Sequence, residues 1–143
     1  MYRFAEKGDL DGVRAQISRG VNVNKVDHYG NSALMSAGRW GRENVVIFLL
    51  SQGANINAQN NFGYTALMEA ARFGQMNMVK LLVSKGAKVN GFVQKDNLTA
   101  VQLSATKAMA AFLITAAEKE YGFIRESKDI DRETRTELST RVM

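Results

Sequence analysis

At 143 residues the chain has room for one domain, and 45 % apolar residues suit a packed core better than a disordered chain. It has no cysteine, which excludes disulfides, thiolate nucleophiles and cysteine-based metal sites, and no apolar run long enough to span a membrane. The formal charge of +5 lies wholly on residues 1–120, since 121–143 hold five basic and five acidic residues; this favours acidic partners without choosing between protein and nucleic acid.

A period of 33 residues orders the chain. Gly8, Gly41 and Gly74 keep this step, as do Gly20, Gly53 and Gly86, then Asn24, Asn57 and Asn90, then Gly30 and Gly63. A fixed period of this length marks a repeat architecture. The first unit, about 1–26, begins inside a helix over Tyr2–Lys7 and ends in GVNVN (20–24). The second, 27–59, opens on a turn and then caps a helix with Ser32, whose hydroxyl can accept from a free backbone N–H. Ala33, Leu34 and Ala37 form its packed stripe and Gly41 its stop. A second helix follows over 44–52 with Val46, Leu49 and Leu50 inward, ending at GANIN (53–57). The third unit, 60–92, repeats this with Thr65 as cap, then Ala66, Leu67 and Ala70, Gly74, and a helix over 77–85 that carries Val79, Leu82 and Val83 before GAKVN (86–90). The fourth, about 93–120, contains Asp96, Asn97, Thr99 and Ala100. It has one extra residue before Asn97, and its interhelical turn is expected to be shortened near Thr106–Met109. From Tyr121 the chain is no longer repeat-like. Ile130, Leu138 and Val142 recur at near-helical spacing in a charged background, which suggests a capping helix over the last repeat or a frayed end. Helices of nine or ten residues do not stand alone in water, where about 12–15 are needed, so the units must stack.

The spacing D-x-x-G-x-T-A/P-L-x-x-A-A-x-x-G…V-x-x-L-L-x-x-G-A-x-x-N, carried by 27–59 and 60–92 and more loosely by the flanking units, resembles the ankyrin repeat over about 120 of the 143 residues. The resemblance implies an all-α solenoid of helix–turn–helix units joined by short hairpin loops. Where the family commonly has Thr-Pro-Leu-His, this chain has Ser32-Ala33-Leu34-Met35 and Thr65-Ala66-Leu67-Met68. Without the proline and the histidine, a solenoid less stable than the consensus is expected.

The inventory for catalysis is thin. The single histidine, His28, sits beside Asp27 in a turn and reads as an exposed turn residue, since a triad needs a nucleophile and convergence in space. The glycines stop helices and do not cradle phosphate before a lysine. Glu6, Glu43 and Glu69 are scattered and form no metal-ligand spacing. No enzymatic activity, cofactor, metal or small-molecule substrate is expected.

What the resemblance implies instead is a groove, lined by hairpin tips and the ends of the first helices, that holds a partner protein. By position this gives His28, Tyr29, Asn31, Asn61, Phe62, Tyr64, Lys95, Asp96 and Leu98 from the hairpins. The helix ends supply Glu6, Lys7, Arg39, Trp40, Arg72, Phe73, Thr106 and Lys107. The partner-binding set is taken as His28, Tyr29, Asn31, Arg39, Trp40, Asn61, Phe62, Tyr64, Arg72, Phe73, Lys95 and Lys107. Its rings and guanidiniums are the residue types enriched at binding hot spots. Alternatively, Phe62, Phe73 and Trp40 fill gaps between repeats as core. A protein of this kind would act by occupancy, inhibiting, sequestering or scaffolding a partner with an acidic or mixed surface, as immunity-type proteins and viral or bacterial antagonists do. The runner-up is nucleic-acid binding through Lys7, Arg39, Arg72, Lys95 and Lys107 with rings for stacking. The N-terminal MYRFAEKGDLDG lacks the apolar core of a secretory leader, so a cytoplasmic location is expected.

Overall fold

Ser32, Thr65 and Thr99 each precede a helix, and each hydroxyl accepts from the backbone N–H three residues on: Met35 (3.3 Å), Met68 (3.2 Å) and Gln102 (3.4 Å). Gln102 answers Thr99 reciprocally and closes a capping box. The structure, a computed structural model, describes residues 1–90 and 99–127, and of 121–127 the backbone alone. Among the described residues there are eight helices and no strand: α1 (Tyr2–Lys7), α2 (Leu10–Ser18), α3 (Ala33–Arg39), α4 (Glu43–Ser51), α5 (Ala66–Arg72), α6 (Met76–Ser84), α7 (Ala100–Leu103) and α8 (Lys107–Ser127). An isolated antiparallel bridge between Val26 and Ser32 closes a hairpin ahead of α3. The helices α1, α3, α5 and α7 stack in chain order, and each packs against the helix that follows it. This is the all-α stack of helical pairs that the repeat pattern predicts.

Small residues set the closeness of that stack. Ala5, Gly38 and Ala71 occupy one register, 33 residues apart, and all three are buried. A methyl group added at Gly38 would stand 3.2 Å from the Ala66 carbonyl oxygen on the next first helix. Leu34, Met35, Leu67 and Met68 are buried alongside them.

The second helices of the two middle units, α4 and α6, begin without side-chain caps, and the residues at those positions reach back to the preceding repeat instead. Arg42 Nε donates to the Glu6 carbonyl at 2.7 Å, and Gln75 Nε2 donates to the Arg39 carbonyl at 3.1 Å. Both pass directly over the glycine that ends the first helix. Gly41 has φ 71°, a left-handed conformation costly for other residues, and a Cβ there would lie 2.7 Å from Gln75 Oε1. The periodic asparagines add another tie. Asn24 Oδ1 accepts from Asn55 N (2.8 Å), Asn57 Oδ1 accepts from Lys88 N (2.9 Å), and Asn90 Nδ2 donates to the Ala117 carbonyl (3.3 Å). Each satisfies backbone groups of the following unit that no regular ladder would serve.

The first unit solves its packing by exchange. Its Phe4 stands where the next two units have Ala37 and Ala70, while its Gly12 stands where they have Val45 and Met78. A Cβ at Gly12 would fall 2.4 Å from the Phe4 ring. We therefore expect Gly12→Val to destabilise the chain by about 2 kcal/mol through overpacking. Adding Phe4→Ala should recover most of that in urea unfolding; a double variant no more stable than the single one would refute the exchange.

The last unit departs from expectation in one respect. The shortening expected in its turn falls in the helix: α7 has four residues against seven in α3 and α5. Ser104 is extended (φ −63°, ψ 136°) and stops α7 early, while the Ala105 N–H donates to the Ala71 carbonyl at 3.0 Å. Helix α8 then runs 21 residues, against nine in α4 and α6, and passes position 121 without a break. The boundary expected after residue 120 thus falls inside a helix. Its added length supports the preceding loop, where the Val89 N–H donates to Glu120 Oε2 at 2.8 Å. Ile130, Leu138 and Val142 lie outside the described residues.

Candidate functional site

Two hairpin tips are built by one device. Asp27 Oδ1 accepts from the backbone N–H groups of Tyr29 and Asn31, both at 2.9 Å. One repeat later, Asn60 Oδ1 accepts from Phe62 and Tyr64, both at 3.0 Å. Such turns are what short Asx side chains favour. They set Tyr29 and Phe62 at equal positions on successive tips, with ring centroids 6.5 Å apart and planes 28° from parallel. His28 lies against Tyr29 at 4.0 Å.

A second ring pair arises at the ends of the first helices. Trp40 and Phe73 are the C-cap residues of α3 and α5, also 33 apart, with centroids 6.0 Å from each other. Tyr29, Trp40, Phe62 and Phe73 keep 43–52 % of their surface exposed, so they do not fill gaps in the core. Half-exposed rings in pairs are unusual on a surface with no use for them.

Between the two ring pairs lies a charged floor. Glu69 on α5 is 1 % exposed; its Oε2 accepts from Arg39 Nε on α3 at 3.0 Å, and its Oε1 lies 3.7 Å from Arg72 Nη1. The guanidinium of Arg39 sits over the Phe73 ring (5.2 Å), and that of Arg72 over Tyr64 (4.7 Å) and Phe73 (5.6 Å). Ring faces attract cations and also limit their rotamers. Asn31, Arg39, Asn60, Phe62, Tyr64, Glu69 and Arg72 together line an open depression of about 290 Å³.

Most of the residues expected from the sequence meet here, in different roles. Arg39, Trp40, Phe62, Tyr64, Arg72 and Phe73 form the depression and its rim. Tyr29 and His28 extend it along the tips. Asn31 and Asn61 mainly join the two hairpins: Asn31 Oδ1 accepts from Asn60 Nδ2 at 2.9 Å, and Asn61 donates from Nδ2 to the His28 carbonyl at 3.0 Å and from its backbone N–H to the Tyr29 carbonyl at 2.9 Å. Lys107 is placed differently from the expectation. It opens α8 instead of following a first helix, because α7 stops at Leu103. Lys95, Asp96 and Leu98 lie outside the described residues. Glu6 and Lys7 are exposed at the end of α1.

Two members of the site escaped the sequence reading. In the sequence Glu69 reads as one of several scattered carboxylates; its position three residues before Arg72, on one helix face, is the available signal. Asn60, 7 % exposed, stands one period after Asp27 and repeats its turn. Away from the depression, the Tyr2 hydroxyl is buried without a hydrogen-bond partner among the described residues. Its pKa is raised above the usual 10, first by burial and then by the charge of Asp27. Among the described residues no group of three or more histidine or acidic side chains converges as a metal site, and no helix is long and apolar enough to cross a membrane.

Comparison with known proteins gives two findings. A family model described as ankyrin repeats (3 copies) matches residues 1–93 and, overlapping them, 49–122. A curated ankyrin repeat-containing protein of Saccharomyces cerevisiae is 54 % identical over 43 residues, which is 30 % of this chain and 8 % of that protein. The chain thus spans a small part of that relative's length.

Proposed function

Because the chain belongs to the ankyrin-repeat family, we propose that it binds a partner protein on the face made by its hairpin tips and first-helix ends, and that it acts by occupying that partner. Ankyrin repeats are protein–protein interaction modules. Tyr29, Phe62, Trp40 and Phe73 supply apolar area with few rotors to freeze, and Arg39 and Arg72 supply oriented donors. The observation that carries the reading is the two half-exposed ring pairs flanking two guanidiniums already fixed on ring faces. Such preorganisation lowers the entropy lost on binding. Inhibition, sequestration or scaffolding in the cytoplasm are the outcomes of occupancy we assign.

Nucleic acid fits this face less well. Arg39 and Arg72, two of the cations that reading would use, share the carboxylate of Glu69, which would oppose a phosphate backbone. A partner recovered from the native cell and purified provides the test. Trp40→Ala and Phe73→Ala should each weaken binding by about 2 kcal/mol while circular dichroism stays unchanged. Unchanged affinity for both would reject the face. A steep loss of binding with added salt, together with retention of DNA or RNA, would replace the protein reading with the nucleic-acid one.

A further inference from the structure

We propose that the depression between the two ring pairs takes the carboxylate of an Asp or Glu side chain on an extended peptide segment, held by Arg72, Arg39 and Asn31 while a neighbouring apolar side chain lies on Trp40 and Phe73. This rests on the binding face proposed above and specifies what it reads.

Uncommitted donors line the depression. Arg39 gives Glu69 only its Nε, so both terminal nitrogens remain without a hydrogen bond among the described residues. Arg72 approaches Glu69 at 3.7 Å, which is Coulombic proximity without a hydrogen bond. The Asn31 amide is oriented by its neighbour. Asn60 Oδ1 is taken by two backbone N–H groups, so Asn60 presents Nδ2 to Asn31, and Asn31 must answer with its oxygen. That leaves Asn31 Nδ2 without a protein acceptor among the described residues. Glu69, the one acid in the lining among the described residues, is 1 % exposed and engaged by Arg39 through Oε2.

Charge counting selects the ligand. Two guanidiniums and one carboxylate leave one positive charge uncompensated. A side-chain carboxylate matches it, and its planar pair of oxygens suits a guanidinium fork. A phosphate near neutral pH brings more negative charge, with Glu69 close beside it. The guanidiniums are held by Tyr64 and Phe73, so the donors are positioned before binding.

A random linear peptide library displayed on phage, selected against the full chain, tests this. Bound peptides should share an Asp or Glu next to an aromatic or aliphatic residue. For a synthesised binder, changing that acid to its amide should weaken binding by about tenfold to a hundredfold, the range of a charge-assisted hydrogen bond. The same change should cost less than about threefold against Arg72→Gln. Arg72→Gln is the variant of choice because it leaves the Arg39–Glu69 bond in place. Three results would overturn the proposal: peptides lost on Trp40→Ala that carry no acid, an equal amide penalty in both proteins, or no linear binder. Binders indifferent to both Trp40→Ala and Phe73→Ala would instead remove the face itself.

Discussion

Replacing Arg39 by methionine is expected to lower stability by about 3 kcal/mol, or about 10 °C in Tm. The loss comes from Glu69. Its carboxylate is 1 % exposed, and Arg39 Nε at 3.0 Å gives it a hydrogen bond that Arg72, at 3.7 Å, does not replace. A buried charge stripped of its partner keeps its desolvation cost and loses the compensating attraction. The residual field of Arg72 and the 30 % exposure of Arg39 place the effect at the lower end of the range for buried pairs. The bond joins α3 to α5, so the penalty falls on an interface between repeats, where a stacked solenoid is most sensitive. Adding Glu69→Met should bring stability back to within about 1 kcal/mol of the parent, because two apolar side chains leave no stranded charge. Denaturant unfolding of the two variants decides the matter. A double variant as unstable as Arg39→Met alone would show that lost packing, and not the charge, sets the cost.

Asn60→Ala should be comparably severe, at about 3 kcal/mol. The substitution orphans the backbone N–H groups of Phe62 and Tyr64 and removes the donor to Asn31 Oδ1. Asn60 is itself buried, though its bonds are only partly so. Asn60→Asp keeps the two acceptor contacts, as Asp27 does one repeat earlier. It places a carboxylate against the Asn31 oxygen, and its cost should be nearer about 1 kcal/mol. Amide hydrogen exchange gives a local readout: the Phe62 and Tyr64 amides should exchange faster in Asn60→Ala and stay protected in Asn60→Asp. Equal protection in the two variants would mean that the tip is held by something other than this side chain.

The repeat was legible because its signals are local. A hydroxyl before an alanine-rich stripe, a glycine seven or more residues later and a 33-residue step each constrain a few neighbouring dihedrals. The helix starts at Ala33 and Ala66 follow directly. The last unit was harder. Its shorter spacing could be absorbed by a turn or by a helix, and the choice of α7 depends on Ser104 turning extended while the Ala105 N–H reaches Ala71. That contact spans more than thirty residues and leaves no mark in the local pattern.

The proposed binding face divides the same way. Register alone put Tyr29 with Phe62 and Trp40 with Phe73, since residues one period apart in a stack must become neighbours. Sequence could not choose between exposed and core-filling rings, because that depends on how much of each ring the adjacent repeat covers.

By itself, then, the order of residues determined the stacking unit, its helix limits and the lines along which side chains recur, all consequences of short-range backbone preferences repeated at a constant step. Tertiary structure alone decided that Glu69 is sealed beneath two arginines, that Asn60 holds a hairpin tip together, and that Lys107 opens a helix. Burial and charge pairing are properties of what the neighbouring repeat brings within a few ångströms, and no single segment contains that information.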